Sequence, residues 1–386
     1  MRPSQLVSYR KVREITPYHF GSPVEAAHFC DREAELATLE ARMTQGINVI
    51  LHAPRRYGKT SLVRRAARRA EERGVGVGYA NLLRCSTRRE IAQAVVRATF
   101  AGPLHRRDLL RRLGGLLERV RVRPTVAVSG DGRVSLGFDP ALADRDWEGT
   151  VADCGRLLAE EARRRPVALV LDEFQQVNQV DPGLAGVFKA VLDQASGVCF
   201  VLAGSHVHLM ERLTTAPGAP LLGMGEVLRL GPIPPAQMAA YLVRQARRAG
   251  RPMALATAQR VCALAGPVPN DIQRLAQTAF EVARTHVDDE SVSQGLALSV
   301  ARQAATYAER YERLSGSAQR LLRLVAEGPI THPYAHAVLT AIEVANDNAA
   351  RKALAALEAQ ELVVRRDGAV AVADPFWRAW LLGAAD

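Results

Sequence analysis

Near the front of the chain, one short segment has the residue types and the spacing of a loop that binds phosphate. It reads Ala53-Pro54-Arg55-Arg56-Tyr57-Gly58-Lys59-Thr60 and continues into Ser61. In such a loop, backbone N–H groups point at phosphate oxygens, a lysine reaches the outer phosphates and a hydroxyl binds Mg²⁺. Lys59 and Thr60 supply these last two groups, and we expect all nine residues to line a bound nucleotide. Ala53 replaces the first glycine of the GxxxxGK[ST] pattern, so we expect a modest adjustment of the loop and a changed affinity.

Two carboxylates and a serine each follow an apolar run further along the chain. Asp172 and Glu173 end the run VALVL, and Ser205 ends the run VCFVLAG. Together with the loop, Asp172 would hold Mg²⁺ through water, and Glu173 would orient and deprotonate an attacking water. The Ser205 hydroxyl would contact the γ-phosphate or that water. The catalytic candidates are therefore Glu173, Lys59 and Ser205, and the metal ligands are Thr60 and Asp172.

Each of these interpretations has a structural alternative. A Gly-Lys-Thr sequence can arise by chance in a basic protein, but here a strand precedes the loop and a helix follows it. Asp172 and Glu173 could cap the next helix, and the loop upstream favours the catalytic role instead. Ser205 could be the N-cap of the helix HVHLMERL. The sequence leaves the two roles of Ser205 equally open.

The elements that must position these residues alternate between strand and helix. The strand INVILH leads into the loop, the helix SLVRRAARRAEERG leaves it, and the strand VGVGYANL and the helix TRREIAQAVVRATF follow. The runs VALVLDE and VCFVLAGS are apolar at consecutive positions, as in strands that are buried on both faces. This alternation predicts the α/β class, with a parallel sheet covered by helices.

The remaining segments suggest further parts. Residues 101–150 interrupt the alternation with an arginine-rich helix and a hairpin around Gly130-Asp131-Gly132, which we interpret as an insertion. Beyond a cluster of prolines at 232–235 the chain is helical, and it closes with three helices and a hairpin, the pattern of a winged helix. We expect an N-terminal arm at 1–25, an α/β core at 26–232, a helical domain at 233–312 and a winged-helix domain at 313–386.

With these motifs in place, the chain resembles the archaeal-type P-loop ATPases, which belong with the AAA+ and STAND ATPases. The resemblance covers nearly the whole length and rests on FGSPVEAAHFCDREAEL (20–36), APRRYGKTSL, LVLDEFQ, VLAGSHVHLMERL and DPFWRAWL. It implies ATP and Mg²⁺ as ligands. It also implies that Phe29, Asp31 and Arg32 contact the nucleotide and that residues 233–312 form a lid. Pro269 and Arg274, within GPVPNDIQR, would sense the nucleotide from that lid.

The chain departs from the family pattern at one further position that bears on activity. Where the family often has P-L-Y-G-R, this chain has Pro220-Leu221-Leu222-Gly223-Met224. It thus lacks an arginine that would act on a neighbouring subunit's nucleotide, unless Arg212 or Arg229 replaces it. Because a missing arginine finger can cost about 10³- to 10⁵-fold in rate, hydrolysis by a single protomer is expected to be slow.

Composition excludes several classes of protein. The chain has 386 residues, 48% of them hydrophobic and 24% charged, which are globular proportions rather than those of disordered or collagen-like chains. Five scattered cysteines without a CxxC pair indicate buried thiols rather than a disulfide scaffold. No apolar stretch approaches the roughly 20 residues of a membrane-spanning helix, and the N-terminus lacks the apolar region of a secretory signal. We therefore expect a soluble cytoplasmic protein with no membrane partner.

The charge distribution leaves the partner open. The net charge is +11, yet residues 314–386 contain seven basic and eight acidic residues, which argues against a winged helix that binds DNA. If DNA binds, we expect it at Arg106, Arg107, Arg111, Arg112, Arg119, Arg121 and Arg123; the alternative is a solvated helix face. The first hypothesis is an ATP-driven switch that acts on a protein partner or on its own assembly. The others are a DNA-associated ATPase and an ATP-binding adaptor with little hydrolysis.

Overall fold

A computed structural model of the chain describes residues 16–24, 28–103, 124–128, 134–138, 146–366 and 368–383. The chain divides into two compact units, one formed by Pro23–Pro232 and the other by Met1–Ser22 together with Ile233–Asp386. The four-part domain organisation expected from the sequence stays a prediction.

The Pro23–Pro232 unit contains the loop and both carboxylates. Its helices are α1 (Glu33–Gln45), α2 (Lys59–Glu72), α3 (Arg88–Ala101), α4 (Trp147–Ala162), α5 (Gln176–Val180), α6 (Leu184–Gln194) and α7 (Val207–Thr214). Its strands are β1 (Val49–His52), β2 (Gly76–Asn81), β3 (Pro124–Val128), β4 (Val134–Phe138), β5 (Val167–Asp172), β6 (Val198–Gly204) and β7 (Glu226–Arg229).

Five of these strands form one sheet in the order β2-β5-β6-β1-β7, and every pairing is parallel. This confirms the predicted α/β class. Side chains alternate across each strand, so Leu51 and Val170 face α1 and α2, whereas Ile50 and Leu169 face α3, α4 and α6. The sheet is therefore buried on both faces, which explains why β5 and β6 are continuous apolar runs.

Two other strand assignments complete this unit. The edge strand β7 was not predicted from the sequence, because three of its four side chains are exposed and two are charged. Strands β3 and β4 pair antiparallel, which confirms the predicted hairpin. The arginine-rich segment predicted as a helix before this hairpin lies outside the described residues.

The other unit is mainly helical. Its helices are α8 (Pro235–Arg248), α9 (Leu255–Ala265), α10 (Pro269–Val282), α11 (Asp289–Ala301), α12 (Ala304–Glu312), α13 (Gly316–Glu327), α14 (His336–Ala341), α15 (Asp347–Ala359) and α16 (Pro375–Leu381). Strands β8 (Val363–Arg366) and β9 (Ala369–Val372) pair antiparallel, and Ile330 exchanges two backbone hydrogen bonds with Val370. Three helices and a hairpin thus occur where a winged helix was predicted, and that designation stays a prediction.

The segment 18–21 is held by helix α10 of its own unit. The backbone N–H groups of Tyr18 and His19 donate to the side-chain amides of Gln277 and Gln273, and that of Gly21 donates to Asn270. The Tyr18 ring is buried, with its hydroxyl donating to the Leu242 carbonyl at 2.9 Å. We call residues 18–21 the N-terminal strap.

Two further expectations from the sequence concern membrane-spanning helices and the state of the cysteines. Within the described ranges, no helix is both long enough and apolar enough to cross a membrane. All five cysteines are buried and none of them forms a disulfide, as their spacing predicted.

Candidate active site

The predicted phosphate-binding loop connects the carboxyl end of β1 to the first residue of α2, at the sheet edge where parallel strands place ligands. Gly58 precedes the helix with φ 85°, and Arg56 also has a left-handed backbone, with φ 70°. Space is open where a Cβ of Gly58 would lie, so this glycine is required by its backbone conformation. Ala53 is buried and is not among the residues with positive φ, so its methyl group needs no unusual conformation. Alanine in place of the first glycine of the pattern is therefore compatible with the backbone conformation of the loop.

Four of the predicted functional side chains lie together at this edge. The buried Lys59 ammonium donates to Asp172 Oδ1 and, at 3.0 Å, to Glu173 Oε1. The Thr60 hydroxyl donates to Asp172 Oδ2 at 2.8 Å. The parallel register explains the arrangement, because Asp172 ends β5 beside Ala203 of β6, and β6 pairs in turn with β1. The loop and the carboxylates thus form one site.

Glu173 is surrounded by hydrogen-bond donors. Its Oε2 atom accepts from the Ser205 hydroxyl and from Gln175 Nε2, each at 2.6 Å. Burial alone would raise the pKa of the Glu173 carboxyl, but the Lys59 ammonium and the hydrogen bonds from Ser205 and Gln175 hold it below its usual value. Glu173 is therefore an anion at neutral pH.

Neither structural alternative for these residues agrees with the structure. The N-cap of α5 is Gln175, and no side chain caps that helix, so Asp172 and Glu173 are not capping residues. The N-cap of α7 is His206, again without a side-chain cap, so the proposed capping role of Ser205 is wrong. Its hydroxyl is directed at Glu173 instead. The role of Ser205 in hydrolysis stays a prediction.

Two residues of this site were missed by the sequence analysis. Tyr79 of β2 donates from its hydroxyl to Asp172 Oδ2 at 2.8 Å. Burial and then the adjacent Asp172 raise the pKa of Tyr79 to about 12, so its phenol keeps its proton. Gln175 is the other, with its side-chain amide buried against Glu173. The weak signals in the sequence were a tyrosine within strand β2 and an amide two residues after Glu173.

The residues proposed to contact the nucleotide beyond the loop have contacts within their own unit. Phe29 packs beside the core under α2, with the Arg65 guanidinium 4.4 Å from its ring centroid. The buried Arg32 donates to Glu35 at 2.9 Å and to the Gly231 carbonyl at 2.5 Å, and its neighbour Asp31 has a left-handed backbone. Arg32 therefore secures the start of α1. Nucleotide contacts by Phe29, Asp31 and Arg32 stay predictions.

Other predicted residues are placed as follows. The Ser61 hydroxyl accepts from the Val24 backbone N–H at 3.0 Å, and its contact with a nucleotide stays a prediction. Pro269 and Arg274 belong to the other unit, where Pro269 begins α10 and Arg274 donates to the Ser299 carbonyl at 3.1 Å. Their sensing role stays a prediction. Arg229 pairs with Glu211 at 2.7 Å, and Arg212 is exposed on α7.

The arginines proposed to bind DNA, from Arg106 to Arg123, lie outside the described residues.

The donor set fits a nucleotide with Mg²⁺. The Thr60 hydroxyl and the Asp172 carboxylate are oxygen ligands, which Mg²⁺ prefers, and they lie within hydrogen-bonding distance of each other. The Lys59 ammonium lies at the same place and would neutralise phosphate charge, at a helix N-terminus whose dipole favours anions.

Comparison with known proteins agrees with this geometry. Residues 29–231 match the family model described as an ATPase domain predominantly from Archaea. This is more than half of the chain, which therefore belongs to that family. No curated protein sequence matches the chain.

Solved structures share the fold. A Walker-type ATPase of Pyrococcus abyssi is 15% identical, with a TM-score of 0.63 over 95% of this chain and 99% of that one. The Aeropyrum pernix ORC1 protein, solved in complex with DNA, is 18% identical, with a TM-score of 0.50 over 94% and 93%. The Aeropyrum pernix ORC2 protein, solved as ADPNP-ADP complexes, is 16% identical, with a TM-score of 0.51 over 95% of each chain. Family and fold together define an ATPase domain with a P-loop α/β fold.

Proposed function

We propose that this protein binds ATP with Mg²⁺, hydrolyses it slowly and uses the change of nucleotide as a switch that acts on a protein partner or on its own assembly. The observation that carries the proposal is the convergence of Lys59, Thr60, Asp172 and Glu173 at the carboxyl edge of the sheet. These side chains come from two distant segments of the chain. A phosphate loop, a metal-binding carboxylate and a base in one place are what ATP hydrolysis requires.

The proposed roles follow from the contacts of each side chain. Lys59 shares its ammonium between two carboxylates, and a triphosphate held by the loop would compete with them for that charge. Thr60 and Asp172 would hold Mg²⁺, which supplies neutralisation of the phosphate charge that develops during transfer. Asp172 is fully buried, so its carboxylate is already in place beside the loop.

Glu173 is the proposed general base. The lowered pKa keeps it ionised, and Ser205 and Gln175 fix the direction of its carboxylate from one side. A base of this kind takes a proton from the water that attacks the phosphate, and positioned bases contribute about 10²- to 10⁴-fold in rate. Ser205 then acts through Glu173 rather than as a helix cap.

The switch itself is supported by the division of the chain into two units. The chain connects them at Ser22–Pro23 and again at Pro232–Ile233. Binding energy at one unit can change the other only through such connections or through contacts that differ between nucleotide states. A nucleotide-dependent change in the helical unit is the expected output.

The test is steady-state release of phosphate from ATP by the full chain with Mg²⁺. We expect Glu173→Gln to lower the rate at least about 10²-fold while ATP binding persists, because only the base is lost. Lys59→Ala should abolish ATP binding. Glu72→Gln, a change of an exposed carboxylate on α2, is the matched control and should leave the rate unchanged. Hydrolysis by Glu173→Gln at the wild-type rate would show that the base is assigned wrongly.

The same assay separates the other hypotheses. Phosphate release no faster than that of Glu173→Gln, together with ATP binding that needs Lys59, would favour an adaptor with little hydrolysis. A rate that rises with duplex DNA would favour a DNA-associated ATPase, a function suggested by the arginines between 106 and 123 and by the ORC1 structure with DNA. Because that likeness extends to the fold alone, neutralising the arginines must abolish the stimulation for this hypothesis to stand.

A further inference from the structure

Tyr79 occupies a position on β2 from which its hydroxyl reaches the site. It lies on β2 opposite Val170 of β5, and two residues further along, Asn81 lies opposite Asp172. Side chains two residues apart on a strand share a face of the sheet, so Tyr79 and Asp172 are diagonal neighbours on one face. Tyr79 packs against the same core as Val170 and places its hydroxyl 2.8 Å from Asp172 Oδ2.

The Asp172 carboxylate accepts four hydrogen bonds from described residues. Oδ1 accepts from the Glu173 backbone N–H at 2.9 Å and from Lys59, and Oδ2 accepts from Thr60 and Tyr79 at 2.8 Å each. Lys59 and Thr60 belong to the loop that would engage the phosphates and Mg²⁺. The other two donors, the Glu173 backbone N–H and the Tyr79 hydroxyl, have no proposed role in binding the phosphates or Mg²⁺. Among the described residues, Tyr79 is therefore the side chain outside the loop that fixes Oδ2, whatever the loop holds.

The ring of Tyr79 is itself held in place. The exposed Arg64 guanidinium lies 5.2 Å from the ring centroid, in the range of a cation–π contact. Arg64 follows Thr60 by four residues in α2, and therefore by about one helical turn. The ring is thus packed between helix α2, which carries Thr60, and the face of the sheet on which Asp172 lies.

We propose that Tyr79 is a positioning residue for the metal-binding carboxylate, holding Asp172 Oδ2 beside the Thr60 hydroxyl so that Mg²⁺ meets two oxygens in fixed places. The inference rests on the proposed function, because it concerns the site at which ATP and Mg²⁺ are proposed to bind. Partners that orient a metal ligand typically change metal affinity 10- to 100-fold when they are removed.

The test measures how binding of fluorescent mant-ADP to the full chain depends on Mg²⁺. Tyr79→Phe keeps the ring and its cation–π contact with Arg64 and removes only the hydroxyl. We expect the Mg²⁺ concentration at half-maximal binding to rise at least about 10-fold, while affinity for mant-ADP in EDTA stays within twofold of wild type. A merely structural role would weaken binding in both conditions. Binding of Mn²⁺ in place of Mg²⁺, followed by electron paramagnetic resonance, should show the same loss.

The matched control is Tyr241→Phe, which removes another buried tyrosine hydroxyl in the helical unit and should leave both titrations unchanged. Circular dichroism and thermal unfolding show whether each variant is folded. Wild-type Mg²⁺ dependence in folded Tyr79→Phe overturns the inference and leaves the proposed function standing. Failure of the wild-type chain to bind mant-ADP overturns both. If Tyr79→Phe does not fold, Arg64→Met, which releases the ring and keeps the hydroxyl, must raise the Mg²⁺ midpoint, and an unchanged midpoint counts against the inference.

Discussion

At the scale of single residues, the neighbours of Glu173 keep its carboxylate ionised and also fix its orientation. Lys59 donates to one of its oxygens, and Ser205 and Gln175 donate to the other. Glu173 also has a left-handed backbone, with φ 58°, a conformation that costs a non-glycine residue free energy. The surrounding donors hold this conformation, as expected where geometry matters more than stability.

Gln175 offers a prediction that separates activity from stability. Its Nε2 atom reaches Glu173, whereas its buried Oε1 atom has no hydrogen-bond partner among the described residues. Gln175→Leu removes a charge-assisted hydrogen bond and also an unsatisfied buried acceptor, so the free energy of unfolding should change by less than about 1 kcal/mol. The kcat for ATP hydrolysis should fall about 10- to 100-fold, because the Glu173 carboxylate is no longer held in its orientation.

The neighbouring amide is the control for this prediction. The side-chain amide of Gln176 donates to the Cys85 carbonyl at 2.8 Å, whereas its backbone N–H donates to the Glu173 carbonyl at 3.0 Å, a bond that a change of side chain keeps. Gln176→Leu should therefore lower stability and leave kcat unchanged. Equal kcat values for Gln175→Leu and wild type would show that Gln175 does not help to orient Glu173 for hydrolysis.

At the scale of elements, strand β1 ends at a buried histidine that connects three neighbours. His52 is paired in register with Gly204 of β6 and with Arg229 of β7, and its Nε2 atom is 3.1 Å from the Thr214 hydroxyl of α7. Burial, and then the charge of Arg229, lower the pKa of His52, although Glu211 opposes them. The neutral ring is the form that the fold accommodates.

This histidine makes the stability of the fold sensitive to acid. Because its pKa is lower in the folded than in the unfolded chain, where it is about 6.5, the unfolded chain takes up the proton first as pH falls. Its contribution to stability is complete above about pH 6.5 and is lost as pH falls toward the folded pKa, at up to about 1.4 kcal/mol per pH unit. Urea unfolding of His52→Gln should show a shallower loss between pH 7 and pH 5 than wild type. Parallel pH profiles would contradict this.

The elements also show how far the sequence could predict the fold and the site. Strands β1, β5 and β6 and helix α2 were assigned because burial on both faces or a loop motif leaves a direct pattern. Strand β7 was not, since Glu226 and Arg229 at a sheet edge resemble a loop.

The site divides in the same way. Lys59, Thr60, Asp172 and Glu173 belong to motifs with fixed spacing, so the sequence alone could assign them. Tyr79 has no such spacing, because its contact with Asp172 depends on the register between β2 and β5. Register is set by packing of the whole sheet, which a single sequence does not display.

At the scale of the whole molecule, the N-terminal strap makes the helical unit discontinuous in sequence. Tyr18 is almost fully buried, packs its ring edge-on against Phe280 and bonds the Leu242 carbonyl. Tyr18→Ala should therefore destabilise the unit that contains α10 by about 3–5 kcal/mol, with little effect on the sheet-bearing unit. Hydrogen exchange followed by mass spectrometry resolves the two units. Phe20→Ala, at a side chain 39% exposed, is the control and should cost under about 0.5 kcal/mol.

The strap also has a consequence for the order in which a newly made chain acquires structure. Tyr18 and its partner Gln277 are 259 residues apart. At a synthesis rate of about 5–20 residues per second, Tyr18 emerges from the ribosome roughly 10 to 50 seconds before helix α10. The whole Pro23–Pro232 unit is synthesised in that interval. During translation, Tyr18 and Phe20 are thus an exposed aromatic segment open to chaperones, and the helical unit closes over the strap only after α10 has been made.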